Sequence, residues 1–283
     1  MTAAVFNPPS SRVLPGAGHL VVELVSGQSA ATSVCASSPL KLLVPRPHGP
    51  SVWAYLSSFG GGLVAGDKTR LDVQLGPGTR CFLGTQASTK VYRNPDSRPC
   101  GHHLTATLDA GALLVLAPDP VQAFAGSLYS QRQEFQLQPG SSLVLVDWLC
   151  SGRVACGERW AFSRFQSRNE VRLDGKRLLL DSLLLDPADG ELAAPQRMGR
   201  FNCLALVALI GETLAEAAVR LLAEVAARPL ARRTPLVASA SPIVGGALLR
   251  IAGESAESVA HEIQRHLAFL NDLLGDDPWS RKW

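Results

Sequence analysis

The sequence predicts a mainly β protein built as stacked β-layers, solenoid-like or β-helical, with two α-helices in the C-terminal third. Three observations carry that reading. A turn signature recurs as Leu75-Gly76-Pro77-Gly78, Leu108-Asp109-Ala110-Gly111 and Leu137-Gln138-Pro139-Gly140. Each copy follows an alternating run and precedes an apolar one, and the copies lie about 30 residues apart, a unit too small to bury its apolar face alone. Period-two alternation, as in Leu71-Asp72-Val73-Gln74-Leu75, marks half-buried strands. After residue 200 the composition turns Ala/Leu/Glu-rich with apolar residues near helical spacing.

In chain order, residues 1–17 are Pro/Ser-rich and form a loose N-terminal segment, and residues 18–283 form one domain. Strands are expected at 19–25, 32–36 and 40–44, the last two separated by Ser37-Ser38-Pro39. A strand at 52–57 enters the glycine cluster Gly60-Gly61-Gly62, and Gly66-Asp67 closes a turn. Glycine at this density marks backbone at positive φ or in close approach. Strands at 71–75 and 81–83 lead into the polar segment 85–93, TQASTKVYR, a candidate functional surface. Asp174-Gly175 between residues 169–173 and 176–180 is a strong hairpin signal. A helix is expected near 200–227, weakest at Gly211 and ended by Pro229. A strand pair at 236–240 and 247–252 follows. Ser255 caps a second helix, near 255–274, with Val259, Ile263, Leu267, Leu270 and Leu274 on one face and Gly275 as its stop. Trp279 and Trp283 in the tail fit either a partner contact or a tail folded back on its own domain.

Composition narrows the function classes. With 46% hydrophobic residues, 18% charged and a net charge of +3, the chain reads as a packed globular protein without a basic stripe for nucleic acid. The N-terminus lacks a secretion pattern and the longest apolar run, 203–210, is too short to span a bilayer, so no membrane and a cytoplasmic location are expected. Six scattered cysteines form no disulfide framework, in keeping with a reduced compartment. Residues 61–69, GGLVAGDKT, approach a phosphate-binding loop, but Asp67 breaks the spacing and a strand, not a helix, follows.

The repeat also aligns candidate chemistry. Seven and eight residues beyond each turn glycine stand Thr85 and Gln86, Pro118 and Asp119, and Asp147 and Trp148. Stacking in register brings Thr85, Asp119 and Asp147 into a line of oxygen groups; each aspartate equally fits a turn cap. Arg153 and Glu158, five apart, fit an ion pair. Cys100-Gly101-His102-His103 is the only soft-ligand cluster, and it falls short of the four ligands of a closed site, so a solvated loop is the expectation. His261 and His266 fall on different helix faces and read as surface or core-edge residues. Ser88 with Lys90 is ordinary strand alternation, and nothing fixes the distance between Asp119 and Glu158, so no catalytic centre assembles and the chain reads as a non-enzyme. Two alternatives remain: a carbohydrate-active β-solenoid using Asp119, Asp147 and Arg153, or a metal-binding protein acting alone through Cys100, His102 and His103.

The segments GGGLVAGD, TQASTKVYR and GRVACGE (152–158), in that order and spacing, resemble the UreD family of urease accessory proteins, called UreH in some organisms. The matching positions are Gly61, Gly62, Gly66, Thr85, Gln86, Lys90, Tyr92, Arg93, Asp119, Gly152 and Arg153. Ala65 and Gly84 depart from the usual pattern, as does the Arg281-Lys282-Trp283 ending. The resemblance implies a chaperone of β-helical fold that binds urease apoprotein, joins UreF and the GTPase UreG, and delivers nickel to the urease active site. It implies no tightly bound cofactor, only nickel in transit, and dimerisation, if any, through UreF. On this footing Asp67, Thr85, Ser88, Asp147 and Glu158 are expected to line a wet passage for the ion. The competing expectation for Asp67 and Glu158 is that they satisfy backbone amides.

Overall fold

Across residues 52–173 the chain shuttles between two facing sheets, laying one main strand in each before moving on. The computed structural model describes residues 14–46, 49–229 and 231–280. One sheet contains β1 (Ala17–Val25), β2 (Gln28–Ala36), β5 (Lys68–Leu75), β8 (Cys100–Leu108), β11 (Leu128–Leu137), β13 (Arg164–Leu173) and β14 (Lys176–Leu185). Its order is β14-β13-β11-β8-β5-β1-β2. The strands from β1 to β13 run parallel, and antiparallel hairpins close both edges.

The opposite sheet contains β3 (Leu40–Leu43), β4 (Val52–Ser58), β6 (Arg80–Thr85), β9 (Leu113–Leu116), β12 (Ser142–Cys150), β15 (Cys203–Ile210), β16 (Leu236–Ile243) and β17 (Gly246–Gly253). Their order is β16-β17-β15-β12-β9-β6-β4-β3, and the short strands β7 (Thr89–Val91) and β10 (Val121–Ala123) attach beside β12. Outside this sheet lie α1 (Ala215–Ala226), α2 (Ala256–His266) and α3 (Leu270–Leu274).

The recurring turns link β5 to β6, β8 to β9 and β11 to β12, and they stack. Gly78, Gly111 and Gly140 have φ of 69°, 72° and 81°. The Gly78 amide donates to the Ala110 carbonyl at 3.0 Å, and a Cβ on Gly111 would lie 3.5 Å from the Gly78 Cα. Glycine supplies both the left-handed backbone and the close approach. Above the turns, Leu75, Leu108, Leu137 and Leu173 align across four strands, with Val73, Ala106, Phe135 and Val171 in the next layer. These residues form the core between the sheets, and a second core lies between the β3–β17 sheet and the helices. The second core includes Trp279, so the tail folds back at that point; Trp283 lies outside the described residues.

Several expectations need correction. Residues 1–13 of the expected loose segment lie outside the described residues, but Ala17 opens β1 and the Gly16 carbonyl accepts from Arg70 N at 2.8 Å. The helix expected near 200–227 is a strand followed by a helix. The run CLALVALI is β15, sandwiched between β12 and β17 with neighbours on both faces, and this burial erases the alternation that identifies a half-exposed strand. Only Ala215–Ala226 is α-helical there, entered through a 3-10 turn at Glu212–Leu214. The second helix divides into α2 and α3. Residues 100–103 open strand β8 and are not a loop. His266 is buried against Glu262, its side chain 1% exposed. The Asp174-Gly175 hairpin forms as read, with φ of 48° and 72° at the two turn residues, the mirror-image turn that matches strand twist.

Candidate functional site

Because the chain runs out along one sheet and back along the other, the starts of β5, β8, β11 and β13 face the ends of β6, β9 and β12. Inward positions near the glycine turns are apolar; at the opposite end they are polar. From the first sheet come Thr69, His102, Gln131 and Ser167 in one register row, with Gln133 and Asn169 in the next. From the second come Thr85, Asp119 and Asp147. Leu83, Leu116 and Leu145 align there, which places Thr85, Pro118 and Asp147 level two residues further on.

A cavity of about 130 Å³ occupies this polar end. Thr69, Thr85, Ser88, His102, Asp119, Gln131, Gln133 and Asp147 line it, and it reaches the surface beside the exposed Gly61 and Ala87. Such a lining has the polar groups and the room that water needs. A wider cleft of about 540 Å³ opens between the edge strands β14 and β16. The Arg250–Asp181 ion pair, 3.1 Å, borders it. Asp147 lines both spaces.

Asp147 is half-buried, and its carboxylate accepts three hydrogen bonds: Gln131 Nε2 at 3.0 Å, Ser167 Oγ at 2.6 Å and Asn169 Nδ2 at 2.7 Å. Burial nevertheless raises its pKa above the ordinary aspartate value. Tyr129 donates to Gln131 Oε1 at 3.1 Å, extending the network. Thr85 Oγ1 donates to Asp119 Oδ2 at 3.0 Å and accepts from the Asp119 amide at 2.7 Å. His102 Nδ1 pairs with Thr69 Oγ1 at 2.8 Å, and burial pushes the imidazole pKa down to about 4, so the ring is neutral at physiological pH.

The remaining expected site residues lie elsewhere. Asp67 Oδ2 accepts from Val64 N at 2.9 Å and so fixes the loop whose Gly61 and Leu63 border the cavity; Asp67 itself does not line it. Glu158 is also outside the lining. It accepts from Ala125 N at 3.2 Å and pairs with Arg153, whose Nε is 2.9 Å from Glu158 Oε2. Those hydrogen bonds, the one from Arg153 first, hold its carboxyl below the usual range. Arg153 lies over the Phe124 ring at 4.5 Å, and Tyr92 packs edge-on against the same ring. Gly152, at φ 112°, has no room for a Cβ, which would stand 2.6 Å from Glu158 O and 2.9 Å from Ala123 O. Gly62 is similarly tight against Lys90 O and the Tyr92 ring, Gly66 lies under Arg98, and Gln86 accepts from Ser57 Oγ at 2.9 Å. Lys90 is exposed, and Arg93 packs beside Gly126.

The soft-ligand cluster is divided by strand alternation. Cys100 and His102 point inward, whereas His103 points outward to Glu134 at 2.7 Å. Among the described residues no three His, Cys, Asp or Glu side chains are grouped to hold a metal ion. No described helix is long and apolar enough to cross a membrane. The residues that sequence reasoning missed are Tyr129, Gln131, Gln133, Ser167 and Asn169. The available signal was Tyr129-Ser130-Gln131-Arg132-Gln133, a strand start polar on both faces although it sits inside a two-layer stack.

Similarity to known proteins extends over nearly the whole chain. The family model described as UreD urease accessory protein matches residues 15–283. A urease accessory protein UreD of Sorangium cellulosum is 51% identical over 270 residues, covering 95% of this chain and 84% of that protein. A protein of the same name from Anaeromyxobacter is 42% identical over 273 residues, covering 96% and 91%. The urease accessory protein D of Arabidopsis thaliana is 36% identical over 292 residues, covering 93% and 99%.

Proposed function

This chain belongs to the UreD urease accessory protein family, and from that premise we propose that it is a non-catalytic chaperone that binds urease apoprotein and passes nickel to it. UreF and the GTPase UreG are its partners in the cytoplasm, and any dimer forms through UreF. The broken phosphate loop at Asp67 supports leaving nucleotide hydrolysis to a partner.

The observation that carries the reading is the position of Asp147, which lines both the inner cavity and the cleft between the sheet edges. Ions enter beside Gly61 and Ser88, pass Thr85, Asp119 and Asp147, and leave through the cleft. Oxygen ligands hold Ni²⁺ more loosely than thiolates do, so the ion is conducted and not trapped. Asp67 and Glu158 serve the passage by fixing the loops around it.

The test is to reconstitute the complex with UreF, UreG and urease apoprotein and to measure urease nickel content. Asp147→Leu and Ser88→Trp should leave the complex assembled and the urease poor in nickel. Full nickel content with both variants would overturn the passage.

A further inference from the structure

We infer that His102 makes the passage selective, giving a transit site for borderline transition-metal cations that Mg²⁺ and Ca²⁺ do not share. The inference rests on the passage proposed above and names the residue that sorts its cargo. The other polar side chains lining the inner cavity offer oxygen or amide groups: Ser57, Thr69, Thr85, Ser88, Asp119, Gln131, Gln133 and Asp147 among them. Such a lining treats Ni²⁺ much as it treats Mg²⁺, a hard cation content with oxygen and water. Imidazole is the ligand that separates them, because it suits Ni²⁺, Cu²⁺ and Zn²⁺ and not the hard cations. Among the described residues His102 is the one imidazole in the lining.

Its neighbours set the ring for this role. The Thr69 hydroxyl donates its single proton to the Gly101 carbonyl at 3.3 Å and is 2.8 Å from His102 Nδ1. In the Nδ1–H tautomer, the one that a cation on Nε2 selects, Thr69 accepts from the ring and Nε2 keeps its lone pair. Among the described residues Nε2 makes no hydrogen bond, and it is the free atom of a ring that lines the cavity. A ligating histidine anchored through its second nitrogen is the usual arrangement of protein metal ligands. A single nitrogen with water completing the shell binds weakly, as a transit site requires. Cys100, on the same strand face, is 1% exposed, donates its thiol hydrogen to the Leu128 carbonyl at 3.4 Å and does not line the cavity, so it does not compete.

The test uses the full chain labelled with ¹⁵N at its histidines, titrated with Ni²⁺ and separately with Mg²⁺. Ni²⁺ should broaden the His102 ring resonances by paramagnetic relaxation, and Mg²⁺ should leave them in place. His102→Gln, which retains a hydrogen-bonding group for Thr69, should remove the cavity site, leaving only broadening at exposed histidines. Thr69→Val should weaken the Ni²⁺ response about tenfold by freeing the tautomer. In the reconstituted complex, His102→Gln should make urease nickel loading sensitive to competing Mg²⁺. An unbroadened His102, or equal responses to the two ions, overturns the inference. If Asp147→Leu blocks nickel while His102→Gln leaves the Mg²⁺ sensitivity unchanged, the selectivity role alone fails. If neither variant affects loading, the passage fails with it.

Discussion

Acid should destabilise this protein through His102. The ring has an ordinary pKa of 6.5 in the unfolded chain and is pushed down to about 4 by burial in the fold. Between those values the unfolded chain binds a proton that the folded chain refuses, so stability falls as the pH falls. Working from that interval, the loss is about 2 kcal/mol between about pH 7 and about pH 5, and about 3 kcal/mol once the pH is below about 4. For a domain with a total stability of about 5–15 kcal/mol that is a large share. Asp147, whose pKa is raised by burial, acts with the opposite sign, since the fold holds its proton more strongly than the unfolded chain does. Both contributions are present in the parent protein, so the measurement is a difference. Urea unfolding of the parent and of His102→Gln, run side by side across this pH range, cancels Asp147 and every other shared group. The parent should lose stability faster on acidification, and the gap should close by about 2 kcal/mol. Parallel stability curves for the two proteins would refute the neutral, enclosed imidazole.

Two further outcomes test the frame around the site. Glu262 is a buried hub between α1 and α2, accepting from Arg228 Nη2 at 2.5 Å, Arg265 Nη2 at 3.0 Å and His266 Nε2 at 2.9 Å. Burial alone would raise its carboxyl, but the bonds from His266, Arg265 and Arg228 outweigh it and hold the pKa well below the usual range. Glu262→Ala removes the partner of Arg228, while Arg265 keeps Glu224 at 2.9 Å and both guanidinium groups are partly solvated, so it should cost about 1–3 kcal/mol in urea unfolding, whereas no measurable cost would place the hub in solvent. Gly152→Ala should cost about 1–3 kcal/mol and lower the midpoint of thermal unfolding, because φ is 112° and two carbonyl oxygens occupy the space of the new methyl group; an unchanged midpoint would show that the loop relaxes freely.

The solenoid was legible because its turns require glycine. Gly78, Gly111 and Gly140 each adopt positive φ at the same point of a repeating unit, so the requirement left a period in the sequence. Counting from those turns also placed Thr85, Pro118 and Asp147 in one row, because parallel strands stacked in register preserve the count. The other wall of the cavity was hidden. Gln131 and Gln133 alternate with Arg132 and Glu134, and only the position of β11 inside a two-layer stack makes the glutamines internal. The strand β15 was misread because sheet neighbours and packing on both faces remove the polar half of a strand pattern. His102 reads as a loop residue because the stretch leading to it is rich in Pro, Arg and Asp, whereas β8 takes the chain directly into the sheet at Cys100.

The division of the stack into an apolar half and a polar half explains how the fold tolerates a half-buried carboxylate. Phe135, Val171, Leu108 and Leu137 fill the half nearest the turns, and the helices bury a second apolar layer behind β12 and β15. Stability therefore comes from surfaces that the polar residues do not share, and the polar half is free to remain wet. An isolated buried charge would be expelled or neutralised. Here Gln131, Ser167 and Asn169 reach across from the opposite sheet to meet Asp147. Removing any one donor should shift the carboxyl toward its protonated form without collapsing the core, since none of the three belongs to the apolar layers. The same donors keep Asp147 at the boundary of two cavities, where a chain of side chains packed for stability alone would have closed the gap with leucine.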